Sequence, residues 1–77
     1  MQDFNFNRVP SRDPLRIEPM AERFEQLLLI YWKKHPDTRL GQILTQFQFY
    51  MQGQGYKDLF YIEDDVLLEH WEKFVNR

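Results

Sequence analysis

The sequence predicts an all-α fold, a single domain of three principal helices with a short N-terminal turn before the first. Three observations carry this expectation. Apolar residues recur at helical spacing in three separate segments. Pro36 and the stretch Gln52-Gly53-Gln54-Gly55 separate those segments, and both are breaks that a helix does not continue through. Aromatic residues make up 17% of the chain, enough large rings to fill a small core.

The elements follow in order. Residues 1–12 are mostly polar, with Phe4 and Phe6 standing alone, and are expected to form an extended, flexible arm; residues 13–77 are expected to be the helical domain. Asp13-Pro14 is a helix-start or turn signal, but Pro19 lacks the N–H that a helix interior needs. The first long helix is therefore placed near Pro19, after a turn at 14–17. Its apolar positions are Met20, Phe24, Leu27, Leu28 and Tyr31, opposed by Glu22, Arg23, Glu25, Gln26, Lys33 and Lys34. Lys33, Lys34 and His35 suit the negative end of the helix dipole, and Pro36 ends the helix.

Asp37 is expected to cap a second helix over 38–51, with Leu40, Ile43, Leu44, Phe47 and Met51 as its buried stripe. Gly41, in its first turn, is expected to permit close helix contact. Leu59-Phe60-Tyr61-Ile62 is read as an apolar link packed under the helices. A third helix is expected from Glu63-Asp64-Asp65, where the dipole favours acid, with Ile62 and Leu67 as a hydrophobic staple. Leu67, Leu68, Trp71, Phe74 and Val75 form its apolar face. Phe24, Leu28, Leu44, Phe47, Leu67 and Trp71 are expected to share one cluster.

Composition narrows function. The 77 residues are enough for one domain with a stability of a few kcal/mol. There is no cysteine, which removes disulfides and thiolate metal sites. The longest apolar run, Leu27 to Trp32, falls well short of the roughly 20 residues a bilayer span takes, and the N-terminus has no signal-peptide pattern. The expected location is cytoplasmic, with no membrane partner. Net charge is −2, and from Leu40 onward Asp58, Glu63, Asp64, Asp65, Glu69 and Glu72 face only Lys57, Lys73 and Arg77. An acidic second half repels phosphate, so nucleic acid is disfavoured as the main partner.

The residues Arg12-Asp13-Pro14, Arg16-Ile17, Trp32, His35-Pro36-Asp37, Arg39-Leu40-Gly41-Gln42 and Leu59-Phe60-Tyr61 with Glu63-Asp64-Asp65 and Leu67-Leu68 carry a resemblance. In that order they resemble a group of very short uncharacterised proteins of bacteria and their phages, over residues 12–72. A looser similarity reaches the small YihD-like proteins. The resemblance implies a compact helical fold and no mechanism, and a phage or mobile-element origin would suit a small regulator of a host protein.

No catalytic, cofactor or metal site is expected. Glu63, Asp64 and Asp65 lack the alternating ligand spacing of a calcium loop and read better as a helix start. His35 and His70 lack the spacing of a zinc site, and the one serine, Ser11, has no base beside it. Gly53-Gln54-Gly55 lacks the lysine and spacing of a phosphate loop. Helix 2 offers Gln42, Gln46 and Gln48 but nothing basic after Arg39, a poor recognition helix.

What is left over is apolar. Leu29 lies about 140° around the first helix from Phe24, and Phe49 about 180° around the second from Leu40. With Ile30, these residues are expected to form or border a protein-binding surface, used by a protein partner or by self-association. The expected function is that of a small non-enzymatic binding or regulatory protein. The second reading is a small nucleic-acid-associated regulator using aromatic and Gln side chains.

Overall fold

The computed structural model describes residues 14–77. The arm expected over 1–12, with Phe4, Phe6 and Ser11, and the Asp13 of the Asp-Pro pair lie outside the described residues. Within them the fold is all-α. A 3-10 turn, Pro14–Arg16, leads into α1, Ile17–Lys34; then come α2, Leu40–Gly53, and α3, Asp64–Asn76. No strand occurs among the described residues.

α1 begins two residues before the expected start. Pro19 is its third residue, where backbone N–H groups have no intrahelical acceptor, so a missing one costs little. The helix stops at His35, whose N–H bonds the carbonyls of Tyr31 and Trp32, both at 3.1 Å. Trp32 then donates its indole N–H to the Thr38 carbonyl at 2.6 Å, which fastens the following turn to the helix.

Asp37 does not cap α2. Pro36 and Asp37 are spent in a turn closed by the Thr38 N–H on the His35 carbonyl (3.0 Å), so the helix starts at Leu40 rather than Thr38. Arg39 is the cap residue, in an extended conformation, and the Gln42 side chain reaches back to accept its N–H at 2.8 Å. That bond is the returning half of a capping box. At the other end, Gly55 takes φ +100°. The Tyr56 N–H bonds the Met51 carbonyl at 3.0 Å and the Gly55 N–H bonds that of Gln52 at 3.1 Å, a Schellman ending that needs the left-handed residue at this place.

α3 starts as expected, with Glu63 as cap residue and the Leu67 N–H on its carbonyl at 2.9 Å. Ile62 and Leu67, the staple positions, both pack on the core.

Both other helices pack on α3. The buried core is Leu27 and Tyr31 from α1, Ile43, Phe47 and Met51 from α2, and Leu68, Trp71, Phe74 and Val75 from α3. Trp71 is its centre: it is wholly buried, stacks on Phe24 at 4.7 Å, meets Phe47 edge-on at 4.9 Å, and donates its indole N–H to the Phe24 carbonyl. Of the expected cluster, Phe47 and Trp71 are buried, and Phe24, Leu28 and Leu67 are partly buried against it.

Leu44 and Leu40 are corrections, being 42% and 41% exposed. The buried strip of α2 is the i, i+4 row Ile43–Phe47–Met51; Leu44 lies about 60° to one side of Phe47, at the strip's edge, and Leu40, though in line with the strip, is the first residue of the helix. Gly41 is a third correction: a Cβ there would meet nothing within 4 Å, so it permits no close helix contact. The link 59–62 is corrected in part. Leu59 and Ile62 pack on the core, while Phe60 and Tyr61 are each 83% exposed. The Asp58 carboxylate accepts the Phe60 N–H at 2.6 Å and the Ile62 N–H bonds the Leu59 carbonyl at 3.2 Å, so the link folds into a turn whose ends point in and whose middle points out.

Candidate functional site

The three residues singled out from the sequence are exposed: Leu29 by 53%, Ile30 by 44% and Phe49 by 64%. Leu29 lies about 160° around its helix from buried Tyr31, and Phe49 about 160° around its helix from buried Phe47. Each therefore stands on the back of its own helix. Leu29 has polar neighbours one turn away, Glu25 and Gln26 before it and Lys33 after it. Phe49 has Thr45 and Gln46 before it and Gln52 and Gly53 after it. Leu29 and Ile30 share α1; Phe49 belongs to a different face on α2.

The turn at 59–62 adds a feature that the sequence reading placed inside. Phe60 and Tyr61 stack edge to face, centroids 4.9 Å apart, at the surface between α2 and α3. Beside them Tyr56, Lys57, Asp58, Tyr61, Ile62 and Val66 line a shallow groove of about 490 Å³. Asp58 two residues before Phe60 is an Asx-turn signal, and it was the available cue that four apolar residues would not lie flat.

A second apolar groove, of about 260 Å³, runs between the start of α1 and α3. Ile17, Met20, Phe24, Leu67 and Leu68 line it, with Arg16 and Asp64 at 3.5 Å across its end.

Three of the acidic residues near α3 make local contacts. Asp64 pairs with Arg16, Asp58 holds its turn, and the Asp65 carboxylate accepts the Val66 N–H at 2.9 Å at the start of α3. Among the described residues, no three His, Cys, Asp or Glu side chains are grouped so as to hold a metal ion. His35 lies against Tyr31 at 4.5 Å at the end of α1, and His70 meets Tyr56 edge-on at 5.3 Å on α3. The His70 Nδ1 is buried without a hydrogen-bond partner. None of the described helices is long and apolar enough to cross a membrane.

No family model matches this chain, no curated protein matches it in sequence, and no solved structure matches it in fold.

Proposed function

We propose that the chain is a small non-enzymatic binding protein that acts through its surface on another protein or on a copy of itself. One observation carries the reading: the core closes without Leu29, Ile30, Phe49, Phe60 and Tyr61, which all remain exposed. Large apolar groups that do not serve the interior cost water contact, and grouped on a surface they mark interaction sites. The acidic second half of the chain favours a protein partner over a phosphate backbone.

The test uses two double variants, Leu29→Gln with Phe49→Gln, and Phe60→Ser with Tyr61→Ser. Each should keep the parent's helical circular-dichroism spectrum. At least one should lose retention of a native-host protein, or shift sedimentation toward the monomer. If both retain every association of the parent, the exposed apolar groups are not a binding surface. Binding to DNA or RNA that weakens steeply with salt would instead favour a nucleic-acid regulator.

A further inference from the structure

The groove between the start of α1 and α3 has the shape to take an aromatic ring. On its α1 wall Ile17, Ala21 and Phe24 follow one another at i, i+4 and i+7, on one face of the helix. Ala21 is exposed and carries only a methyl group, so the wall is hollowed between two larger side chains. Leu67 of α3 stands in the opposite wall, and Phe24 and Leu67 are both only partly buried. The space is about 260 Å³, whereas a dry apolar cavity of about 150 Å³ already takes a benzene ring. Ile17, at the near end, is 59% exposed.

The place of the groove selects the occupant. Ile17 comes three residues after Pro14, the first described residue, and thirteen residues of the chain precede Pro14. Phe4 and Phe6 are the aromatic ones among them. Residues two apart fall on one side of an extended chain, so both rings can face the groove together. The reach is sufficient. The seven residues from Phe6 to Asp13 span up to about 23–25 Å when extended, and Ile17 to Phe24 covers about 10.5 Å of helix. That leaves enough chain to reverse near Pro14 and lay Phe6 beside Ala21.

Charge and tethering favour the same occupant. Between Phe6 and Asp13 the charged residues are Arg8 and Arg12. The α3 end of the groove carries Asp64, with Glu63 and Asp65 next to it in sequence. Closing so short a loop costs little, and a tethered segment competes at an effective concentration on the order of mM. A free partner in dilute solution has no such advantage.

We propose that Phe6, with Phe4 beside it, docks in the groove between α1 and α3, so that the chain's own N-terminal segment covers it. This goes beyond the binding reading and stands apart from it, since none of Leu29, Ile30, Phe49, Phe60 and Tyr61 lines the groove.

The chain has no cysteine, so Asn5→Cys accepts a single nitroxide on the side of the segment opposite Phe4 and Phe6. In spectra of that isotope-labelled full chain, the backbone signals of residues 17–24 and 64–68 should lose more intensity than any others in the three helices. Phe4→Ser with Phe6→Ser removes the rings. Ala21→Glu fills the hollow with another good helix former. Each should abolish the localised loss and leave the helical circular-dichroism spectrum unchanged. Loss centred elsewhere, or loss at the groove that both variants leave intact, overturns the proposal. So does loss that persists when nitroxide and isotope are carried on separate chains of a mixture, because the occupant is then a second copy. The double variants at Leu29 with Phe49 and at Phe60 with Tyr61 test the binding reading separately, so failure here leaves that reading standing.

Discussion

Trp71 donates its indole N–H to the Phe24 carbonyl at 3.2 Å while its ring contacts Phe24, Phe47 and Phe74, so one residue ties α3 to both other helices. Removing the ring leaves a cavity at the point where all three helices meet. Trp71→Ala should cost about 3–5 kcal/mol, most of what a domain of this size has; loss of the cooperative thermal transition is the expected result, and a melt within a few degrees of the parent would show that the core closes elsewhere. The start of α2 allows a finer comparison. Gln42→Ala removes the acceptor of the Arg39 N–H and should cost about 1 kcal/mol, as lost caps do. Asp37→Ala, in the turn before the helix, should stay within about 0.5 kcal/mol. Urea midpoints of the two variants decide it, and the reverse order would restore Asp37 as the cap.

At the scale of elements, the sequence placed the helices closely but misread their edges, each for a local reason. α3 was legible because its signals agree: acid at the first turn, a staple at Ile62 and Leu67, and an apolar face through Trp71 and Phe74. α2 was not fully legible because two competing features precede it. Asp37 is a good cap by type, but Pro36 and the Thr38 N–H on His35 use that stretch for a turn, and a side chain three residues into the helix does the capping. Its stripe was drawn too wide and too long, since periodicity gives an apolar face and only the position of α3 shows which part of it is covered; Leu44 lies at the edge of the covered part and Leu40 at the first residue of the helix, and both are exposed. The exposed backs at Leu29 and Phe49 were legible from angle alone, whereas Phe60 and Tyr61 were not, because four consecutive apolar residues carry no period. The turn gives a direct prediction. Phe60→Ser with Tyr61→Ser should leave the melting temperature within about 2 °C, whereas Leu59→Ala or Ile62→Ala should lower it by several degrees, in line with about 1–2 kcal/mol of partly buried side chain. Equal losses from both pairs would mean that the turn is packed throughout.

At the scale of the whole molecule, a small domain has to close a core and leave a surface that water tolerates. Among the described residues, nine buried ones from three helices close the core, and the exposed large apolar side chains stand at the entry to α1 (Leu15 and Ile17), along α1 and α2, and on the turn before α3. Whether these groups are surplus to folding is the premise of the binding reading. Urea unfolding of the triple variant Leu29→Gln, Ile30→Gln, Phe49→Gln, measured at a concentration dilute enough to keep the parent monomeric, tests it most directly. A cooperative transition with the parent's slope is expected, with a midpoint change worth less than about 1 kcal/mol, since exposed substitutions are usually small. A variant that has lost its cooperative transition would contradict it, because those three side chains would then belong to the core.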